Sequence, residues 1–157
     1  MNSFGNVFRV SLFGESHGNA IGVIIDGCPP GIPVSPDDFM PDLSRRQSGS
    51  RGTTNRHEPD KPEILSGIFN GFTTGSPITV ITRNSDRISS DYDDFKNIPR
   101  PGHADFVAGV KYSGFADLRG SGHFSGRITW GYVAAGVIAK KILKPAETEA
   151  KLISAGG

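Results

Sequence analysis

Glycine and proline punctuate this chain densely: 21 glycines and 11 prolines among 157 residues. Average usage would give roughly 19 of the two together in a chain of this length. Long uninterrupted helices are excluded, because each breaker removes a backbone hydrogen bond or raises the entropy cost of the helical turn. A helical bundle or coiled coil is therefore ruled out. Disorder is ruled out on other grounds. Hydrophobic residues make up 36% of the chain, with ten phenylalanines among them, and no low-complexity run separates them. What remains is one domain's worth of chain, or a piece of a larger one, with residues 1–157 holding no separate second domain. It must contain many tight turns, or places where backbone approaches a ligand closely.

The 17 basic and 16 acidic residues leave a net charge of +1. So weak a field does not gather nucleic acid, and no nucleic-acid partner is expected. Ten of the basic residues are arginine and seven lysine; the planar guanidinium fork suits phosphate and carboxylate. The single cysteine, Cys28, excludes an internal disulfide framework and a cysteine-rich metal site, and fits a reducing, cytoplasmic setting. Met1–Gly5 shows no signal-peptide pattern. The longest apolar stretch, Ile128 to Leu143, contains Gly131, Gly136 and two lysines, so no membrane partner is expected either.

Branched and aromatic residues predict strands at Val7–Phe13, Ala20–Asp26, Glu63–Phe69 and Ile78–Thr82. Ser35-Pro36-Asp37-Asp38 predicts a helix start, running to about Arg46. Ala104–Tyr112 predicts a short helix, and Arg127–Leu143 a longer one stopped before Pro145. The small residues of the latter let it sit close to a neighbour. Glu147–Ser154 alternates like a strand. The pattern predicts an α+β layer.

Four segments concentrate reactive or anion-binding groups. Gly14-Glu15-Ser16-His17-Gly18 is a tight turn that either projects a proton donor from the end of a sheet or is simply a surface turn. A Ser-His nucleophile pair is disfavoured, because adjacent residues of a strand point opposite ways. Arg45, Arg46, Arg51 and Arg56 have no acid between Asp42 and Glu58; they form either an anion site or a solvated basic surface. Arg100-Pro101-Gly102-His103-Ala104-Asp105 is a turn that places His103 beside a helix start. Gly120 to Arg127 (GSGHFSGR) is a glycine loop before a helix, able to turn backbone amides toward phosphate or to serve as a plain connection. It lacks the spacing of a P-loop or a dinucleotide fingerprint. A metal site built on His17, His103 and His123 competes poorly, since no carboxylate or thiolate cluster accompanies them. His57, between Arg56 and Glu58, reads as solvated.

Together these segments resemble the chorismate synthases. The resemblance runs in order through Phe13 to Gly18, Asp26-Gly27 and Pro29-Pro30-Gly31. It continues through Arg45-Arg46, Glu58-Pro59-Asp60, Ile64 to Gly67 and Thr73 to Pro77. It ends with Arg100 to Asp105, Gly122 to Thr129 and Ala134-Ala135-Gly136. It implies a β-α-β sandwich and a lyase that converts 5-enolpyruvylshikimate 3-phosphate to chorismate, losing phosphate and a ring hydrogen with anti 1,4 geometry. It implies reduced FMN as cofactor, NADPH as the candidate reductant of that flavin, and a homotetramer. By the same resemblance His17 protonates the departing phosphate, His103 supplies a proton near the flavin, and Ser16, Arg46, Arg51, Arg100 and Arg127 bind the substrate. His123, Phe124 and Ser125 occupy flavin-contacting positions. The loop from Arg45 to Arg56 is one residue shorter than the common family pattern, with Ser48 where proline is usual. Family chains run to more than twice this length, so the expectation is an N-terminal portion with little activity alone. The alternative is a non-catalytic module that binds anionic phosphometabolites on the same scaffold.

Overall fold

The computed structural model describes residues 2–48, 56–85 and 98–156. In chain order the elements are β1 (Ser3–Phe4), β2 (Arg9–Gly14), β3 (Ala20–Asp26), α1 (Met40–Arg46), β4 (Glu63–Ser66), β5 (Ile68–Phe69), β6 (Phe72–Thr73), β7 (Ile78–Arg83), α2 (Asp105–Lys111) and α3 (Trp130–Ile142). Five strands form one sheet in the order β1-β2-β3-β7-β4, every neighbouring pair antiparallel. The architecture is α+β, as expected.

Register explains which face is the core. Val10 pairs with Ile25 and Leu12 with Val23; Ile25 then pairs with Ile78 and Val23 with Val80. Strand side chains alternate between faces, so these six share one face, and all are buried. Helix α3 lies across β2, β3 and β7 on that face, and α1 packs against α3. Gly131 lets α3 approach. A Cβ there would come within 2.6 Å of Leu12 Cδ2 and 3.3 Å of the Gly22 carbonyl oxygen.

Local signals held where a specific residue enforced them. The Ser35 amide donates to the Asp38 carboxylate at 2.7 Å, beginning a 3₁₀ turn over Pro36–Phe39 that passes directly into α1. The expected strand Val7–Phe13 begins only at Arg9. The expected single strand Glu63–Phe69 divides at Gly67, whose φ is 80°. A Cβ at Gly67 would lie 2.7 Å from Ile78 Cα, so the chain bends there against the start of β7. Asn70 and Gly71, both at positive φ, close the β5–β6 hairpin, as a two-residue turn of the primed kind requires. The expected helix Arg127–Leu143 enters through a 3₁₀ turn over Gly126–Thr129. The expected strand Glu147–Ser154 does not form. Leu152 and Ile153 are 86% and 95% exposed; with no surface to bury against, period-two alternation has nothing to fix its register. Among the described residues no helix is long and apolar enough to cross a membrane.

The approach of α3 at Gly131 generates a prediction. Gly131→Val forces Leu12 and the β3 backbone apart, and overpacking of this kind costs about 1–3 kcal/mol. Helix propensity returns only a few tenths of that. Urea denaturation followed by fluorescence of the sole tryptophan, Trp130, is expected to show the midpoint falling accordingly.

Candidate functional site

At the end of β2, Gly14 (φ 97°) turns the chain out of the sheet, and residues 15–19 form the turn into β3. Ser16 and His17 sit in that turn, 2% and 6% exposed. The segment 56–60, the end of α1 and the loop ahead of α3 close around it. The result is a cleft of about 490 Å³ lined by Ser16, His17, Arg46, Arg56, Glu58, Asp60, Arg100, Ser121, Ser125 and Arg127, among others.

Three buried carboxylates orient four guanidiniums. Asp60, 2% exposed, accepts from Arg46 Nη1 at 2.7 Å and, through its other oxygen, from Arg127 Nη1. Its backbone carbonyl accepts from Trp130 Nε1 at 3.4 Å. Asp60 adopts a φ of 52°, a left-handed conformation that aspartate tolerates better than most residues. Glu58 accepts from Arg56 Nε at 3.0 Å and Nη2 at 2.6 Å, and from the amide and hydroxyl of Ser85, each at 2.8 Å. Asp105 accepts from Arg100 Nε at 2.8 Å and Nη2 at 2.9 Å; Arg100 Nη2 also donates to Ser121 Oγ at 3.2 Å. Arg56 donates to both the hydroxyl and the carbonyl of Ser16, at 2.8 and 2.9 Å.

The charges answer to these contacts. Burial pushes Glu58 up, but the hydrogen bonds from the Ser85 amide, Arg56 and the Ser85 hydroxyl, with the charge of Arg127, outweigh it and hold the carboxyl below its ordinary value. Hydrogen bonds from Arg100 hold Asp105 low against burial. Burial draws Arg46 down, with Asp60 opposing and Arg127 adding to the decrease; a guanidinium nonetheless stays charged at neutral pH. Each guanidinium carries five N–H donors, and four of these cations face three carboxylates. The cleft is thus left positive, with donors remaining for an anionic guest.

The cleft brings together Ser16, His17, Arg46, Arg100, Ser125 and Arg127 of the residues expected from the sequence. It does not include His103, which is exposed on the Pro101-Gly102 turn with Nδ1 3.2 Å from the Pro101 carbonyl. His123 and Phe124 face a neighbouring cleft of about 460 Å³ with Phe13, Gly14 and Tyr112, and His123 Nδ1 lies 2.8 Å from the Gly14 carbonyl. Arg51 lies outside the described residues. Arg45 is 81% exposed, beside Asp42. His57 is exposed. Two expectations are corrected. The arginine cluster is not uncompensated, because Asp60 and Glu58 fold back onto Arg46 and Arg56. The rule that strand neighbours point opposite ways does not govern Ser16 and His17, because both lie in the turn and line the same cleft. Sequence reasoning gave no role to Glu58, Asp60 or Asn84. The two acids flanking Pro59 were the available signal. Gly120, the first residue of the glycine loop, has a φ of 56° and passes against His17: a Cβ there would lie 2.4 Å from the His17 ring. Among the described residues no group of three His, Cys, Asp or Glu could hold a metal ion.

The depressed carboxylates fix a pH dependence. Glu58 and Asp105 titrate lower in the folded chain than in the unfolded one, so the stability they contribute is full above the unfolded values, about 4. It is lost as pH falls through the folded values. Melting temperature is expected to drop below about pH 4, and Asp105→Asn to flatten that slope while lowering stability at neutral pH.

A sequence model of the chorismate synthase family matches residues 8–155. The chorismate synthase of Chitinophaga pinensis is 61% identical over 145 residues, covering 92% of this chain and 44% of that protein. That of Thermococcus kodakarensis is 54% identical over 140 residues, covering 89% and 39%. A crystal structure of chorismate synthase superposes with a TM-score of 0.61 at 34% identity, covering 88% of this chain and 34% of that one. The chain thus spans less than half the length of these relatives. Every residue lining the arginine cleft falls within the matched span, and the chain belongs to the chorismate synthase family.

Proposed function

We propose that this chain provides the substrate cleft of a chorismate synthase, a lyase that eliminates phosphate from 5-enolpyruvylshikimate 3-phosphate to form chorismate. The observation that carries the reading is the convergence of Arg46, Arg100 and Arg127 on one cleft with Ser16 and His17. The substrate bears a phosphate and two carboxylates. Guanidiniums already oriented by carboxylates meet such groups with little reorganisation, which is how fixed donors stabilise charge as it develops. Arg51 belongs to the same proposed set.

In the elimination the carbon–oxygen bond breaks with its electron pair on the phosphate. A ring hydrogen leaves the opposite face as a proton to water while its carbon–hydrogen pair enters the new double bond, and water later restores the proton that His17 gives up. His17 donates its proton to the departing phosphate oxygen, and the arginines hold the accumulating negative charge. Ser16, anchored by Arg56, keeps the turn against the substrate. The chemistry that reduced FMN would supply, if bound, is transient electron density for the substrate with no net redox change. The second cleft offers surfaces for the ring system of such a group, the rings of Tyr112 and Phe124 lying 6.2 Å apart. Its lining among the described residues includes Glu15 and Asp117 and no arginine or lysine, so it does not provide for the phosphate. His123 and Phe124 would hold the ring system, while Ser125, expected beside them, lines the arginine cleft instead; His103 would exchange a proton through Nε2, its Nδ1 facing the Pro101 carbonyl. NADPH as the flavin's reductant, a homotetramer and a cytoplasmic setting rest on family membership alone.

A second reading, a phosphometabolite-binding module without turnover, is favoured by Glu15 and Asp117, two carboxylates lining the second cleft that oppose a flavin phosphate there. Isothermal titration with the substrate and with FMN separately divides the two. Binding of both supports the first reading, and of substrate alone the second. Arg100→Gln is expected to weaken substrate binding about ten- to a hundredfold, the range for one charge-assisted hydrogen bond. Unchanged affinity in that variant would remove Arg100 from the site. The 157-residue chain alone, given substrate and reduced FMN, is expected to form little or no chorismate by absorbance.

A further inference from the structure

Asn84 follows the last residue of β7 and is 4% exposed. Its backbone amide donates to the Asn19 carbonyl at 3.1 Å, which extends the β3–β7 ladder to the end of the Ser16–His17 turn. Its side chain is a junction. Nδ2 donates to the carbonyls of Glu15 at 3.1 Å and Gly18 at 2.9 Å, spanning that turn from one side to the other. Oδ1 accepts from Arg127 Nε at 3.0 Å. The two carbonyls can only accept and the guanidinium can only donate, so the amide has one orientation that satisfies all three partners.

Asn84 thus hydrogen-bonds both the turn and Arg127. Arg56 reaches the turn through Ser16, and Asp60 reaches Arg127 but not the turn. The turn carries the proton donor and Arg127 is an anion receptor, so their spacing depends on a group rigid at both ends. A planar amide supplies that, and a buried one is costly to leave half satisfied. We propose that Asn84 is a positioning residue for the proposed elimination, setting the His17 turn and the Arg127 guanidinium at one fixed separation. This rests on the substrate-cleft reading of the previous section.

The test uses Asn84→Leu, similar in size without polar atoms, and Asn84→Ser, which is smaller and polar but cannot reach all three partners. The four histidines of the chain allow their ring signals to be followed separately by NMR as pH is varied. The charged groups around the turn (Glu15, Arg56, Glu58, Arg100 and Asp117) are untouched in both variants. Trp130 fluorescence reports whether the fold is intact. In a folded variant the His17 titration midpoint is expected to move while the His57 and His103 curves overlay those of the wild type. The dissociation constant for inorganic phosphate is expected to rise at least fivefold. If the leucine variant does not fold, the serine variant decides. An unmoved His17 curve together with unchanged phosphate affinity in a folded variant overturns the proposal. A wild-type chain that binds no phosphate overturns the anion-cleft reading instead, and the His17 curve still decides the role of Asn84.

Discussion

The buried carboxylate of Asp60, held between Arg46 and Arg127, is the interaction on which the rest of the site depends. Arg46 ends α1, and Arg127 lies in the turn that opens α3. One acid thus ties α1 to α3, the helix that lies across the sheet, and the Trp130 indole binds the same residue's carbonyl. Taking these charges out of water costs several kcal/mol per ion, and only good geometry and full pairing repay it. Such an arrangement is poor evidence for stability in itself. Its physical consequence is placement: two cations of like charge are held side by side in a cleft where they would otherwise repel.

The same logic recurs with Glu58 and Asp105. Each accepts from an arginine and from a backbone amide, so each arginine is fixed in orientation, Arg56 against the Ser16 turn and Arg100 against Ser121. The helices sit where they do because α3 carries small residues against the sheet. Close packing at Gly131 brings the first turn of α3, and with it Arg127, next to the end of β7. The packing of a hydrophobic layer and the position of a polar network are therefore coupled through a single helix.

Much of the fold was legible because local chemistry is strict at particular residues. β3 matches its expected span, since Ile21, Val23 and Ile25 form one buried row of an alternating strand. The start of the first helix region followed from Ser35 and Pro36. The glycine-rich segments pointed to the cleft because turns and close approaches need them. The failures are equally physical. The run Glu63–Phe69 has uniform strand propensity, but the bend at Gly67 comes from Ile78, distant in sequence. Glu147–Ser154 has the alternation of a strand without a surface to bury it.

Motif order and residue type, properties of the sequence alone, were enough to reveal the family and to nominate Ser16, His17, Arg46, Arg100 and Arg127. Tertiary structure decided which of the nominated residues share a cleft, leaving His103 on an exposed turn and sending His123 and Phe124 to a neighbouring one. It also supplied the partners, Glu58, Asp60, Asn84 and Asp105, that orient the cations. The reason is one of range. Turn and helix signals act over a few neighbouring residues, whereas a carboxylate or amide finds its cation across separations such as that of Asn84 from Arg127, which only the folded chain brings to 3.0 Å.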